Sequence, residues 1–497
     1  MGSLSCFSEI SHRTIKANNC YKLDKIKIMK HFFKILFVLL IQQATYAQTS
    51  VSGGIYQNTT WTLANSPYVV TGSIVVFPGN TLTIEPGVEI KIDNQTSNTI
   101  YIETRGTLNC VGTDALPIKI HAMYDTLNPV GWQGFVCTSS QGGVLNADRF
   151  HISNAHTPFG YETALTNYQY TNCTFSHCFQ AVTVANSVNL QNCKFIDNEV
   201  GVYGWSYFTI NNCLFKDNTT SIFAYTTAIE LTNSTFVDNQ IGLTFASYVF
   251  ENMTITDCQF QNNELALGSP NNGTVQNCQF SDNTTAIQMA SNCEIFNNEF
   301  LYNELALEAS VDANIHDNQI NNNFGGLLIS NVSNAQDSPL IYNNEICSNI
   351  NYNVNNNTNM NYSLLSNCFC GLDSASIEEY LLDGYDDITK GLINYTLYDS
   401  TCTTILGTVS KFLDQSAGLS ESVNPTYLYP NPTSDLITLN MTAANATIEV
   451  ADAQGKILQT SNVENGGTLS LASYETGMYI FRITTENGTS IHRISKN

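Results

Sequence analysis

Basic residues are scarce in this chain. Its 497 residues include 19 Lys and Arg against 42 Asp and Glu, so the formal net charge is −23 at pH 7. A chain of that charge repels phosphate backbones, which excludes nucleic acid as a partner. Only 12% of the residues are charged, whereas 43% are hydrophobic. The chain can therefore bury a large core, and disorder over most of its length is excluded.

The apolar run near the N-terminus is too short to cross a bilayer. Lysines precede the segment Ile35–Ile41, and a small-residue site ending at Ala47 follows it. This order of a basic, an apolar and a small-residue region is typical of a secretory signal peptide rather than a membrane anchor. We predict a signal peptide over residues 29–47 that starts at Met29, with residues 1–28 as an over-extended start.

Metal-binding spacings are also missing. The 15 cysteines form no CxxC pair, and no HxxxH spacing accompanies them, so a zinc site is not expected. Export to an oxidising compartment permits disulfides. However, five cysteines share one repeat position, and side chains stacked in register strain the disulfide dihedral. We expect a ladder of buried thiols, with a disulfide inside the ladder as the alternative. Its members are Cys173, Cys193, Cys213, Cys258 and Cys278.

Repetition is what the chain has in abundance. The lines LQNCKFIDNEVGVYG (190–204) and INNCLFKDNTTSIFA (210–224) are followed by similar lines at intervals of 20 to 26 residues. A period of that size indicates a fold built from stacked units. A leucine-rich horseshoe would need an LxxLxLxxN line, which is absent.

Each unit predicts three short strands separated by Asn-rich bends, and such units close a triangular coil. Asn tolerates left-handed backbone, so we expect the Asn at one bend to adopt it and to hydrogen-bond from rung to rung. In one unit, the residues expected to face inward are Ile210, Cys213, Phe215, Asn218, Ile222 and Ala224. The Asn column consists of Asn198, Asn218, Asn239, Asn263, Asn283, Asn303, Asn323 and Asn349.

This pattern resembles the right-handed parallel β-helix of pectin-lyase-like proteins, whose rung reads I-x-x-N-x-I-x-x-N-x-x-G-I. The matching line runs from Ile295 through Asn298 and Asn303 to Leu307. The resemblance implies an all-β chain, with a right-handed parallel β-helix solenoid and its C-terminal cap over residues 48–402. In the cap, Ser374 or Ser376 is expected to be the N-cap of a short helix over Ile377–Leu382.

The end of the chain resembles the C-terminal sorting domain of the type IX secretion system. The residues that carry this resemblance are Tyr429, Pro430, Asn431, Pro432, Gly455, Lys456, Gly477, Tyr479 and Lys496. It implies a small β-sandwich over residues 425–497, joined by a linker at 403–424. It also implies that the type IX secretion machinery exports the protein, which is then secreted to the outer cell surface or the extracellular medium.

The resemblance places a substrate groove on the strand that contains Gly201–Gly204. On that strand and the next, the outward positions are aromatic, and flat rings suit the apolar faces of sugars. The predicted carbohydrate-binding residues are Tyr203, Trp205, Phe223 and Tyr225. The alternative is an aromatic ladder that only covers the strand, because exposed aromatics are common.

Catalysis has little support. A uronate lyase needs a cation and a basic residue, yet Lys194 and Lys216 are the only Lys or Arg between Arg149 and Lys390. Hydrolysis needs opposed carboxylates, and the groove-facing column offers Glu308. An early-rung cluster joins Glu162 to His151 or His156. These catalytic candidates are Glu308, Glu162 and His156.

An acidic column suggests calcium as the one candidate cofactor. Asp197, Asp217, Asp238 and Asp282 recur at one bend, and carboxylates stacked at rung spacing repel unless a cation lies between them. The alternative is a solvated bend. Two hypotheses for the whole protein therefore remain: a non-catalytic glycan-binding or adhesive β-helix, and a polysaccharide lyase or glycoside hydrolase. The oligomeric state is left open.

Overall fold

A computed structural model describes most of the chain after residue 47. The described residues are 48–95, 99–124, 131–137, 141–159, 168–184, 187–225, 228–246, 252–332, 337–364, 366–396, 398–399, 402, 427–429, 433–441, 443–451, 457–485 and 488–496. The predicted signal peptide and the linker at 403–424 lie outside them.

Strands of three to five residues dominate because each unit alternates apolar and polar positions between bends. Parallel pairing joins each strand to the equivalent strand one rung later, for example Phe195 with Phe215 and Ile210 with Leu231. Three parallel sheets result, and they wind as a right-handed β-helix. The predicted all-β fold class is confirmed.

Sheet I contains the strand after the first bend of each rung. Its strands are Thr49–Ile55, Tyr68–Val76, Glu89–Ile92, Ile118–Ala122, Phe150–Ser153, Thr174–Ser176, Lys194–Ile196, Leu214–Lys216, Thr235–Val237, Gln259–Gln261, Gln279–Ser281, Glu299–Leu301, Gln319–Asn321 and Glu345–Cys347.

Sheet II follows the second bend and takes in the second halves of the first two strands of sheet I. Its further strands are Tyr101–Thr104, Gly134–Cys137, Gln180–Val184, Val200–Gly204, Thr220–Ala224, Ile241–Phe245, Leu265–Gly268, the first half of Thr285–Phe296, Leu305–Ala309, Gly325–Ile329, Tyr352–Asn356 and Leu381–Leu382.

Sheet III closes the triangle. Its strands are Thr59–Trp61, Thr81–Ile84, Thr107–Val111, Val144–Asp148, Tyr168–Thr171, Val188–Gln191, Phe208–Asn211, Ile229–Thr232, Met253–Thr256, Asn271–Gln276, the second half of Thr285–Phe296, Asn314–His316 and Leu340–Tyr342.

Like side chains stack inside the coil because every rung repeats the same inward positions about 4.8 Å further along. Seven phenylalanines of sheet I form one column in which neighbouring ring centroids lie 4.6–5.1 Å apart, with the ring planes within 10° of parallel. Its members are Phe175, Phe195, Phe215, Phe236, Phe260, Phe280 and Phe300. The six residues predicted to face inward are all buried.

The predicted Asn column is a continuous buried ladder. Asn218 Oδ1 accepts hydrogen bonds from the backbone N–H and side-chain amide of Asn198, and the Asn218 amide donates to Asn239 Oδ1 and to the Phe195 carbonyl. However, the expected left-handed backbone lies one residue earlier, at positions such as Asp217, where φ is +57°. Because the Asn side chain of the ladder must point inward, the residue before it adopts the left-handed backbone that forms the bend.

A second Asn ladder replaces the thiol column in the later rungs. It joins Asn298, Asn318, Asn344 and Asn367 through amide-to-carbonyl hydrogen bonds of 2.9–3.0 Å. The thiols and these amides therefore occupy the same inner column, and only the side-chain chemistry changes along the coil.

The described part of the cap contains one short helix, as predicted, but its predicted N-cap and range were wrong. The helix spans Ser374–Glu378, and Asp373 is its N-cap, because the Asp373 carboxylate accepts a hydrogen bond from the Ser376 N–H at 2.9 Å. Leu381–Leu382 returns to sheet II. The short strands Tyr362–Ser363 and Ile393–Asn394 pair with each other.

Residues after 426 form two antiparallel sheets around a separate core. One sheet contains Tyr427–Tyr429, Leu436–Asn440 and Thr468–Ser470. The other contains Asn445–Ala451, Ile457–Glu464, Gly477–Thr485 and Gly488–Lys496. The predicted small C-terminal β domain is therefore present.

Candidate functional site

The outward face of sheet II carries the predicted aromatic site. In strands such as Val200–Gly204, the first and fourth residues are partly exposed and the others are buried. Tyr203 pairs in register with Phe223, which pairs with Thr244 on the next rung. Residue 204 must be glycine for the strand to pack against the inward-facing ring of Phe208, because a Cβ there would collide with that ring.

The four predicted residues form one cluster of rings, which we call the aromatic patch: Tyr203, Trp205, Phe223 and Tyr225. The Tyr203 and Phe223 rings stack at 5.3 Å with only 7° between their planes. The ring centroids of Trp205 and Tyr225 lie 4.2 Å apart, and those of Trp205 and Tyr203 lie 5.5 Å apart. Trp205 is 39% exposed and Tyr225 is 38% exposed, so the patch presents ring surface to solvent.

Tyr207 follows Trp205 by two residues in the chain and precedes the sheet III strand Phe208–Asn211. The Tyr207 hydroxyl donates a hydrogen bond of 3.0 Å to Glu230. Burial raises the pKa of Tyr207, and the adjacent Glu230 carboxylate raises it further. Aromatic rings beside a hydroxyl and a carboxylate can stack on a sugar ring and hydrogen-bond to its hydroxyl groups.

The catalytic candidates that the structure describes do not converge on the patch. Glu308 lies on the same outward row, several rungs away, and accepts a hydrogen bond from the Ser330 hydroxyl. His156 stacks on Phe179 at 4.8 Å and hydrogen-bonds to the Thr157 hydroxyl. His151 lies on sheet I, so it faces a different side of the coil. Glu162 lies outside the described residues.

Two members of the acidic column bond to neighbouring side chains. Asp197 forms an ion pair of 3.0 Å with His177, and Asp238 accepts a hydrogen bond of 2.6 Å from Asn262. Burial raises the pKa of Asp217, Asp238 and Asp282, and that of Asp282 reaches about 7. Left-handed backbone at each of these positions explains why Asp and Asn recur there. Calcium binding at this column stays a prediction.

The described part of the chain has one group of three or more His, Cys, Asp or Glu residues close enough to share a metal ion. It consists of Glu345, Cys347 and Cys370. Cys347 and Cys370 are joined in a disulfide, so they offer no thiolates. A second disulfide joins Cys368 to Cys402. Neither disulfide was predicted from the sequence, although both involve a cysteine of the Cys368-x-Cys370 pair.

The expected thiol ladder is present and unbridged. Its five cysteines are buried and free, and Ser234 fills the one interruption, where its hydroxyl accepts the Cys213 N–H at 3.1 Å. Three further buried thiols, Cys110, Cys178 and Cys293, have pKa values raised to about 12 by burial alone or predominantly by burial. Because the raised pKa disfavours the reactive thiolate, these thiols serve as buried packing groups.

The described sorting-signal residues lie on strands of both C-terminal sheets. Gly477 pairs with Lys496 in the sheet. Lys496 is largely buried and also forms an isolated β-bridge with Thr433. Tyr479 is buried, and its hydroxyl donates to the Glu475 carbonyl at 2.8 Å. Tyr429 lies in a strand. Pro430, Asn431, Pro432, Gly455 and Lys456 lie outside the described residues.

Comparison with known protein families confirms the predicted resemblances. Residues 200–376 match the family described as right handed beta helix region, and residues 53–161 match the pectate-lyase like beta helix domain. Residues 427–497 match the secretion system C-terminal sorting domain. The chain is thus a β-helix protein with a C-terminal sorting domain. That domain indicates handling by the type IX secretion system and export to the cell surface or extracellular space.

Comparison with individual proteins adds little information about this chain. No curated protein sequence matches the chain. Among solved structures, a hyperthermoactive exopolygalacturonase from Thermotoga maritima is similar, with 12% identity and a TM-score of 0.25. The match covers 64% of this chain and 83% of that one. Among the described residues, no helix has the length and apolar character needed to span a membrane.

Proposed function

We propose that this exported β-helix protein binds glycans through the aromatic patch and does not cleave them. The observation that carries the proposal is the stacking of Tyr203 on Phe223, with Trp205 and Tyr225 beside them and partly exposed. Together these rings form a platform two rungs wide, and partly exposed indole and phenol rings retain apolar surface that a sugar can cover.

We assign no catalysis to the coil, because the catalytic candidates among the described residues lie on separate rungs. Glu308 is hydrogen-bonded to Ser330, and His156 is stacked on Phe179. Acid and base groups must lie within reach of one scissile bond, and inverting or retaining glycosidases place their carboxylates less than about 10 Å apart. The adhesive or structural role that we propose for the exported protein follows from binding without turnover.

A glycan array followed by titration calorimetry tests the proposal. We expect Trp205→Ala and Tyr225→Ala each to weaken binding of the best glycan by about tenfold, as for a ring at the centre of an interface. Tyr385→Ala is the matched control, because Tyr385 is 76% exposed but lies in the cap. Unchanged affinity in both patch variants would overturn the proposed site.

A reducing-end assay on the same glycans tests the absence of cleavage. We expect no new chain ends over hours of incubation with the wild-type protein. Chain cleavage that disappears in Glu308→Gln would instead establish a polysaccharide lyase or glycoside hydrolase and overturn the non-catalytic proposal. The two assays give independent results, because the first measures affinity and the second measures turnover.

A further inference from the structure

The first rung of the coil has an open edge. It consists of Thr49–Ile55 and Thr59–Trp61, which together we call the open rung. Thr49–Ile55 pairs with Tyr68–Val76 and turns from sheet I to sheet II at Ser52, whereas Thr59–Trp61 pairs with Thr81–Ile84 in sheet III. Within the described ranges, no strand pairs with the other side of either segment. All three sheets therefore end at the same level of the coil, each with an unpaired edge.

Some peptide groups of the open rung point away from the coil. The Thr49 N–H, the Ile55 carbonyl and the Trp61 carbonyl hydrogen-bond to the second rung. The peptide groups of a strand alternate between its two edges, so the intervening groups face outward along the coil axis. These outward groups belong to Ser50, Gly54 and Thr60.

The hydrophobic interior is also incompletely covered at this end. Val51 and Ile55 pack against the core but stay partly exposed, because no described strand lies beyond them. Tyr56 is 72% exposed, and its ring stacks on Phe77 with the centroids 4.5 Å apart. A further rung stacked on this end would cover apolar surface and would also satisfy the outward peptide groups.

The open end of the coil carries no charge. Residues 48–84 contain no Lys, Arg, His, Asp or Glu, in a chain whose net charge is −23. Proteins commonly protect exposed strand edges with charged residues or proline, and the open rung has neither. Two copies of so acidic a chain repel each other over most of their surface, but not where charges are absent. The neutral edge therefore favours a second copy of this chain as its partner.

The opposite end of the coil is closed. Phe369, Ile377 and Leu381 of the cap are buried against the last rungs, and two disulfides hold the cap in place. A coil with two open ends could stack head to tail into a filament. A coil with one open end reaches closure when two copies meet.

We propose that two copies of the protein, each processed after Ala47 as the predicted signal peptide requires, join head to head through their open rungs. A two-fold axis through Ser52 and Thr60 sets both segments antiparallel to their counterparts. Ser50 then lies opposite the partner's Gly54, and the two Thr60 residues exchange backbone hydrogen bonds. The interface lies at the N-terminal end of the coil, so this inference does not depend on glycan binding at the aromatic patch.

Sedimentation velocity of the full exported chain, at about 1 to 100 µM, tests the association. We expect a reversible equilibrium between monomer and dimer with no larger species. Added salt should strengthen the dimer, because screening weakens the repulsion between two acidic bodies. A monomer at all these concentrations, or a filament, would overturn the proposal. An N-terminus well before Gln48 in the exported protein, measured by mass spectrometry, would overturn it too.

Ser50→Pro tests whether the open rung forms the interface. The Ser50 N–H faces outward, so proline removes an interface donor without breaking a hydrogen bond inside the coil. Because the two-fold axis doubles the loss, we expect the dimer dissociation constant to rise about tenfold or more. Ser363→Pro is the matched control, since the flanking N–H groups of Tyr362 and Leu364 make the strand contacts at the closed end. An unchanged dimer in Ser50→Pro, or equal weakening in both variants, would place the interface elsewhere.

Cross-linking tests the two-fold arrangement without depending on the proline variant. Thr60→Cys should be joined to its counterpart by a short bismaleimide, because Thr60 lies on the proposed axis. Leu340→Cys should stay monomeric, since Leu340 is 63% exposed but lies in the last strand of sheet III. Hydrogen exchange at the Ser50 and Thr60 amides should also slow as the dimer forms. Failure of Thr60→Cys to cross-link, or exchange independent of concentration, would refute the head-to-head pairing.

Discussion

Asn218→Ala should destabilise the coil far more than an exposed Asn substitution on the same rung. The Asn218 side chain takes part in four buried hydrogen bonds, of 2.9–3.0 Å, two as acceptor and two as donor. Truncation leaves the Asn198 N–H without its acceptor inside the coil. An orphaned buried donor costs about 1–3 kcal/mol, and the other lost bonds add about 0.5–1.5 kcal/mol each. We therefore expect a loss of about 3–5 kcal/mol.

Urea denaturation followed by far-UV circular dichroism measures the loss as a lower midpoint. Asn211→Ala is the control, because that exposed amide donates one hydrogen bond, to the Thr232 hydroxyl. We expect the control to stay within about 0.5 kcal/mol of wild type. Hydrogen exchange should also accelerate at the Asn198 amide in Asn218→Ala. Equal midpoints in the two variants, with unchanged exchange at Asn198, would refute the energetic role of the ladder.

Three further predictions concern the interior and the bends. Phe236→Ala should cost about 3–5 kcal/mol in urea denaturation, because it opens a cavity in the ring column, whereas Phe236→Leu should cost less. The pKa of Asp282 is about 7 in the fold, against about 3.9 when unfolded, so stability should fall as the pH rises from about 4 to 7. Asp282→Asn should then be about 2 kcal/mol or more stabilising at pH 8 and neutral below pH 4; no gain at pH 8 would contradict this. The ladder thiols should react with a thiol reagent only on unfolding, and rapid labelling of Cys213 in the native protein would show that the coil opens locally.

The periodic features of the fold were predictable because every rung repeats the same local sequence pattern. Apolar positions at fixed offsets indicated which side chains face inward, and the Phe and Asn columns followed from the in-register stacking of equal units. The exact placement of the bend was not predictable in this way. Asp217 and Asn218 both tolerate left-handed backbone, and only the inward hydrogen bonds of Asn218 assign that conformation to Asp217.

The candidate sites were partly predictable for a related reason. The aromatic patch joins equivalent positions on adjacent rungs, so the repeat alone brought Tyr203 and Phe223 together.

Local sequence patterns were sufficient to predict a β-helix of stacked units and a C-terminal sorting domain. They also gave the residue types that fill the inner columns. The pairing of the cysteines became apparent from the folded chain, because the Cys347–Cys370 and Cys368–Cys402 disulfides depend on how the cap folds back over the last rungs. The same holds for charge contacts such as that of His121 with Glu89, because irregular loops set the register of the early rungs.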